Sequence, residues 1–315
     1  MKRHNIFAAV LTLVLLCGCT IQSAEVASES GHIDEPVTEY TVEMPTVTEP
    51  LDTKLLKCDY YIERDFRVYT ASPDEYDISG ELLCGTVPHH LTGGQLIASF
   101  FYTAAQHQND VDTIVIIGTK HYKEGGAFVT SECGWQTPFG IMKNDTEITK
   151  QFADAGAAVQ DSAMEKDHAV STLIPFAKYY FPDAKISAVL VGTDADKNIS
   201  EKLADTLSAL YGDKKILTVF SVDFSHYLQP HDTALHDEET RRAVLESDIS
   251  AVADMTDSNM DSPYCIGTFI RLTERLDGNV GELAHSNSLE MSGIPYSPAA
   301  FPEGLTSYFV FCGTR

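Results

Sequence analysis

The chain has 315 residues, with 46 Asp and Glu against 22 Lys and Arg, and a formal net charge of -24 at pH 7. This balance argues against a nucleic-acid partner, because binding phosphates needs clustered Lys and Arg. It also argues against direct adhesion of the folded part to an anionic lipid surface.

Residues 1–18 have the order of an export signal. Lys2 and Arg3 come first, an apolar run of eleven residues follows from Ile6 to Leu16, and a small residue precedes Cys19. A membrane-spanning helix needs about 20 apolar residues, so this run targets the chain rather than spanning a bilayer. The segment resembles the lipobox of bacterial lipoproteins. That implies lipidation of Cys19 and a place on the extracytoplasmic face of the cell membrane, held by the lipid alone.

Residues 19–55 are predicted to form a disordered tether. From Thr20 to Thr53 there are eight Asp or Glu and no Lys or Arg, among many Ser, Thr and Pro. Such a stretch cannot bury enough apolar surface to offset the entropy lost on ordering. We expect it to hold the following domain away from the membrane.

Residues 56–315 are long enough for one large core, and no glycine- or proline-rich break divides them, so we predict one domain. Short Val- and Ile-rich runs predict buried strands, and segments with helical spacing lie between them. This alternation predicts an α/β fold, a mostly parallel sheet with helices on both faces. The predicted strands are Leu82–Val87, Thr113–Ile117, Ile186–Val191 and Ile216–Val222, and the predicted helices are Gly93–His107, Thr146–Val159, His168–Phe181, Ile199–Tyr211 and Ala234–Glu246.

Three further segments interrupt or extend this alternation of strands and helices. The stretch Phe128–Met142 contains two glycines and a proline and predicts an inserted hairpin. Near the end of the chain, Leu283–Leu289 and Ser307–Phe311 predict edge strands.

Histidines follow three of the four predicted strands. Because ligands of such sheets bind outside the carboxyl ends of the strands, these positions are candidates for a site. Imidazole is the commonest protein ligand for zinc, copper and iron, so a histidine-rich rim favours a metal. The candidates are His89 and His90 after the first strand, Lys120 and His121 after the second, and Asp223 and His226 after the last.

Cys265 and Asp167 are further candidate ligands. Cys265 opens a predicted helix that runs through Leu272, and a helix N-terminus lowers the pKa of a thiol, which favours the metal-binding thiolate. The alternative is that Cys265 is a small buried apolar residue. Beyond Cys19 the chain has five cysteines and no CxxC pair, so at least one thiol lacks an internal partner.

Two other kinds of site are poorly supported. Ser225 and His226 suggest a serine hydrolase, but adjacent residues of an extended chain point to opposite sides, and no Gly-x-Ser-x-Gly elbow is present. The pair Gly93-Gly94 lacks the Lys and Ser or Thr that follow in a phosphate-binding loop.

Six motifs in order resemble the Memo family, called AmmeMemoRadiSam system protein B in bacteria after neighbours that include a radical-SAM enzyme. They are Pro88-His89, Gly118-Thr119-Lys120-His121, Gly134-Trp135-Gln136-Thr137-Pro138-Phe139-Gly140, Asp167-His168, Val222-Asp223-Phe224-Ser225-His226-Tyr227 and Tyr264-Cys265-Ile266-Gly267. The resemblance implies a three-layer fold similar to the class III (LigB-type) extradiol dioxygenases. It also implies iron or copper held by His89, His121 and Cys265.

The resemblance also implies that Asp223 and His226 line the same pocket. Our leading hypothesis gives these two residues the catalytic roles, with His226 oriented by Asp223 as a proton donor or acceptor. The pocket would be lined by His90, Lys120, Asp167 and His168. The sequence departs from the family where Lys120 places a cation beside the proposed metal.

Three functions follow as hypotheses. The first is a metal-dependent, redox-active protein with an unknown small-molecule or peptide ligand and a functional link to a radical-SAM protein. The second is a metal- or peptide-binding lipoprotein without turnover, since an animal relative has been linked to phosphotyrosine peptides. The third is a metallohydrolase that uses a zinc-bound water.

Overall fold

The Val- and Ile-rich runs form the middle of the fold. The computed structural model describes residues 54–212 and 214–315. Every residue of Leu82–Val87, Thr113–Thr119 and Ile216–Ser221 is buried, as expected for strands covered on both faces. The strands are β1 Leu55–Lys57, β2 Leu82–Val87, β3 Thr113–Thr119, β4 Phe128–Thr130, β5 Gly134–Thr137, β6 Gly140–Met142, β7 Ala158–Val159, β8 Lys185–Val191, β9 Ile216–Ser221, β10 Asn279–Asn287 and β11 Ser307–Thr314.

Helices connect most of these strands. They are α1 Glu63–Ala71, α2 Gly94–His107, α3 Thr146–Asp154, α4 Asp161–Lys166, α5 His168–Ser171, α6 Ile174–Tyr180, α7 Ile199–Ser208, α8 Pro230–Leu245, α9 Ile249–Ala253, α10 Pro263–Arg275 and α11 Ser288–Ser292. Among the residues that the structure describes, no helix is long and apolar enough to cross a membrane.

The main sheet has eight strands in the order β10-β11-β2-β9-β3-β8-β4-β7. Its central strands β2, β9, β3 and β8 run parallel to one another. Antiparallel pairing adds β11 beside β2, β10 beside β11 and β4 beside β8. The four parallel strands therefore end at the same edge of the sheet.

Two apolar layers cover this sheet. Along β3, Ile114 and Ile116 belong to one buried cluster, whereas Val115 and Ile117 belong to the other, as the alternation of side chains along a strand requires. Helices α1, α2 and α6 contribute buried residues to the first cluster, and α3, α7 and α10 contribute to the second. The predicted α/β class, with a mostly parallel central sheet and helices on both faces, is confirmed.

Some elements differ from their prediction for local reasons. The predicted helix His168–Phe181 is broken into α5 and α6, with Pro175 in the first turn of α6, where its missing N–H breaks no bond. The predicted edge strand Ser307–Phe311 extends to Thr314 and lies inside the sheet, between β10 and β2. The predicted hairpin is formed by β5 and β6, but these strands join β1 in a separate three-stranded sheet.

The predicted signal at residues 1–18, the lipidated Cys19 and nearly all of the predicted tether lie outside the described residues. The tether was predicted to end at residue 55. Leu55, the last residue of that segment, begins β1 and pairs with Gly134.

Candidate metal site

The site lies where β2, β9 and β3 end side by side. His89, Asp223 and His121 each follow one of these strands at the second residue beyond its end. The imidazole rings of His89 and His121 meet edge to face, with centroids 4.9 Å apart. The two histidines that follow these strands therefore lie side by side at the end of the parallel sheet.

A third histidine completes the group. His168, the first residue of α5, stacks on His121 with ring centroids 4.0 Å apart. One ring nitrogen from each of His89, His121 and His168 lies within 4.8 Å of the other two. We call His89, His121, His168, Asp167, Asp223 and Asp261 the rim cluster.

Asp167 fixes the ring of His121. Its Oδ1 lies 2.9 Å from His121 Nδ1, and its Oδ2 accepts the backbone N–H of His121 at 2.8 Å. Asp167 also caps α5 by accepting from the N–H of Ala169. The ring of His121 therefore offers Nε2 as its free nitrogen, and its side chain remains 27% exposed, which leaves an approach from solvent.

Ser221 fixes the ring of His89. The Ser221 hydroxyl donates to the carbonyl of Ala169, so its oxygen is left to accept from His89 Nδ1 at 3.1 Å. Asp223 holds the backbone at this point, because its Oδ1 accepts from the N–H of His89 at 3.0 Å. The Nε2 atom of His89 thus faces the centre of the rim cluster.

Asp261 is the member of the rim cluster that sequence reasoning missed. Its Oδ2 lies 3.2 Å from His89 Nε2 and 3.9 Å from His121 Nε2. Its Oδ1 accepts from the hydroxyl of Thr119 at 2.8 Å. Asp261 sits in the loop before α10, where no strand or repeat marks it, and only its place two residues before Pro263 at the helix start gives a signal.

The rim cluster concentrates charge in a buried place. Burial opposes a charged His89, but the carboxylates of Asp223 and Asp261 outweigh it and raise its pKa to about 9. Burial raises the pKa of Asp261, yet the hydrogen bond and charge of His89 outweigh this effect and leave the pKa below its usual range. For His168, burial and the positive charges of His121 and His89 lower the pKa to about 4. The carboxylate of Asp261 is therefore ionised at neutral pH and attracts a cation.

Cys265 does not have the environment that the sequence suggested. It is fully buried in the second apolar cluster, and burial raises the pKa of its thiol to about 12. The predicted lowering by the helix N-terminus is wrong, because desolvation of a thiolate outweighs the helix dipole here. Cys265 is also outside the three-histidine group. It is a free thiol, as are Cys58, Cys84, Cys133 and Cys312.

The remaining predicted residues lie around the rim cluster. His226 is half-buried, and its Nδ1 has no hydrogen-bond partner among the described residues. The expected orientation of its ring by Asp223 is therefore not seen. Asp223 instead accepts from the backbone N–H groups of His89 and His90. The ring of His90 contacts the hydroxyl of Tyr308 at 2.7 Å. The ammonium of Lys120 donates to the carbonyl of Tyr122.

Comparisons with known proteins agree with the sequence motifs. A family model described as Memo-like protein matches residues 72–297. A MEMO1 family protein of Pyrobaculum aerophilum is 30% identical over 230 residues, which cover 69% of this chain and 80% of the relative. A MEMO1 family protein of Pyrobaculum arsenaticum is 31% identical over 224 residues, covering 67% and 78%. The crystal structure of an uncharacterized protein from Escherichia coli K12 aligns with a TM-score of 0.47 and 11% identity, covering 73% of this chain and 99% of that chain.

Proposed function

This chain belongs to the Memo family, and from that premise we propose that its rim cluster binds a transition-metal ion, iron or copper, which supports redox chemistry. The observation that carries the proposal is the convergence of nitrogens from His89, His121 and His168 within 4.8 Å of one another. Neutral imidazole is the commonest protein ligand for such metals. The carboxylates of Asp167 and Asp261, whose pKa values lie below their usual range, add the charge that a cation requires.

His89 and His121 are the two ligands whose orientation is fixed in advance. Each offers Nε2 to the centre, because Ser221 and Asp167 engage the Nδ1 atoms. Partners of this kind raise the basicity of a ligand and hold its ring in place. A bound iron or copper ion would supply one-electron chemistry and an open position for a small ligand.

His226 is the group that we assign to proton transfer. It is half-buried beside the rim cluster, close enough for its charge to lower the pKa of Asp261. Its Nδ1 is buried and has no hydrogen-bond partner in the described residues, so a substrate or a water that reaches it would supply the missing bond. In this scheme Asp223 is a positioning residue that acts through the backbone of His89.

The test measures metal content and turnover on the same full-length protein. After anaerobic loading and desalting, we expect about one iron or copper ion per chain, together with consumption of oxygen or peroxide. His89→Ala and His121→Ala should each remove the metal, whereas His107→Ala, at an exposed histidine on α2, should leave it bound. Bound metal without redox activity would support a binding role without turnover, and zinc alone would favour a metallohydrolase. Full metal content in both rim variants would refute the site.

We also propose that Cys19 carries the lipid that holds the protein at the extracytoplasmic face of the cell membrane, with no other contact to the bilayer. The proposal rests on the basic, apolar and small-residue order of residues 1–18. In a host cell fed a labelled fatty acid, the wild type should take up label and fractionate with membranes, and Cys19→Ser should do neither. Label retained by Cys19→Ser would contradict the proposal.

A further inference from the structure

Asp261 is held against the two oriented histidines by the backbone. Its N–H donates to the carbonyl of Asp223 at 3.0 Å, and the preceding Met260 forms an antiparallel bridge with Phe224. The loop before α10 is thereby joined to the loop that follows β9. Asp261 therefore reaches the end of the parallel strands although it is 140 residues away from His121 in the chain.

The two carboxylate oxygens of Asp261 differ in their hydrogen bonds. Oδ1 accepts from the hydroxyl of Thr119, whereas the buried Oδ2 faces His89 Nε2 and has no donor when that nitrogen carries no proton. A buried carboxylate oxygen without a donor is costly. Since Oδ2 points at the nitrogens of His89 and His121, the group that would satisfy it lies between these three residues.

The tautomers of His89 and His121 leave only acceptor atoms around the space between these rings and Asp261 Oδ2. The Nδ1 atoms of His89 and His121 are engaged by Ser221 and Asp167, so each ring, when neutral, presents the lone pair of its Nε2 atom. Two lone pairs and one carboxylate oxygen repel one another unless a positive charge lies among them. A metal ion, or a proton in the metal-free protein, meets this need.

The spacing suits a metal with little movement. Ligands about 2.1 Å from a metal are about 3.0 to 3.4 Å apart in octahedral to tetrahedral geometry. The observed separations from Asp261 Oδ2 are 3.2 Å to His89 Nε2 and 3.9 Å to His121 Nε2. The thiol of Cys265, by contrast, is fully buried within an apolar cluster.

We propose that Asp261, and not Cys265, binds the metal together with His89 and His121. The site is then a triad of two histidines and one carboxylate, which prefers Fe(II) or Zn(II) to Cu(I). This inference rests on the proposed metal-binding function and specifies its ligand set. Carboxylate oxygen is a harder donor than thiolate, and Cu(I) is selected by thiolate and thioether sulfur.

The test compares metal affinities of full-length variants by anaerobic competition with a coloured chelator, using Fe(II), Zn(II) and Cu(I) as probes. Asp261→Asn should weaken Fe(II) and Zn(II) binding by about tenfold to a hundredfold. Cys265→Ser should stay within about threefold of the wild type. Asp254→Asn, at an exposed residue on the same stretch of chain, is the matched control and should bind as the wild type does.

Cobalt provides a readout that does not depend on affinity or activity. Thiolate ligation to Co(II) gives an intense charge-transfer band in the near ultraviolet, which carboxylate ligation lacks. The Co(II)-loaded wild type should lack this band, and Asp261→Cys should gain it and shift preference towards Cu(I). A thiolate band in the wild type that disappears in Cys265→Ser would overturn the proposal.

The outcomes separate this inference from the function on which it rests. If His89→Ala and His121→Ala lose the metal but a folded Asp261→Asn binds normally, the metal site stands and the ligand assignment fails. The assignment also fails if His168→Ala weakens binding while Asp261→Asn does not. If none of these variants changes metal binding, the proposed function fails as well.

Discussion

Replacing Asp167 by Asn tests how far the fold itself orients a ligand. The carboxylate is fully buried and its two oxygens accept three N–H groups, from the ring and backbone of His121 and the backbone of Ala169. An amide has the same shape but only one acceptor oxygen. In either orientation of the amide, its NH2 group faces a donor of His121, and at least one charge-assisted hydrogen bond is lost.

The expected size of the effect follows from the hydrogen bonds that the substitution removes. A hydrogen bond to a charged group contributes about 1.5 to 3 kcal/mol, so the free energy of unfolding of the metal-free protein should fall by roughly this amount. Loss of a partner that orients a metal ligand typically weakens metal binding by about 10- to 100-fold, or about 1.4 to 2.7 kcal/mol. Both effects should therefore be measurable in the same variant.

The assay combines urea unfolding without metal and chelator competition with Zn(II), on the wild type and on Asp167→Asn. Asp154→Asn, which changes an exposed carboxylate on α3, is the control and should leave both quantities unchanged. If Asp167→Asn is destabilised but binds Zn(II) within twofold of the wild type, then Asp167 serves the fold alone. The reasoning about ligand orientation would then be refuted.

Three further predictions concern the rest of the fold. Asp237→Ala removes the buried acceptor of the hydroxyls of Ser225 and Ser307 and of the imidazole of His285. Urea unfolding should show a free energy of unfolding lower by about 3 to 5 kcal/mol. A loss under about 1 kcal/mol would contradict this expectation. Burial raises the pKa of Asp145, but bonds from Thr113 and Lys214 outweigh it and lower the pKa. Asp145 therefore contributes stability that is present above about pH 4 and lost below it. Between pH 7 and pH 3, the urea midpoint should fall further in the wild type than in Asp145→Asn. Equal falls in the two proteins would refute the assignment. Because burial raises the pKa of Cys265 to about 12, alkylation of this thiol followed by mass spectrometry should be slow until the protein unfolds, and rapid labelling of the folded protein would contradict its placement.

The sheet and part of the site were predictable because they depend on local patterns. The Val- and Ile-rich runs match β2 fully and the other central strands to within two residues. In a parallel sheet, residues that follow neighbouring strands must meet at one edge, and this rule brought His89 and His121 together without knowledge of the strand order.

The ligand proposed here, Asp261, was not predictable in this way. Asp261 reaches the site through a bridge between Met260 and Phe224 and through a bond from Thr119, and both are contacts between distant parts of the chain. The family resemblance and the place of Cys265 at a helix start, both visible in the sequence, favour Cys265 as a ligand. Its complete burial, which reverses the effect on the thiol pKa, is a property of the packed core alone.

The most direct test of the central claim is to locate the metal in crystals of the protein loaded with Fe(II) or Zn(II), by anomalous scattering at the absorption edge of that metal. We predict one strong peak within about 2.0 to 2.2 Å of His89 Nε2, His121 Nε2 and Asp261 Oδ2. A peak bonded to Cys265 Sγ would contradict the ligand assignment. Full metal loading with no peak at the rim cluster would contradict the metal site itself.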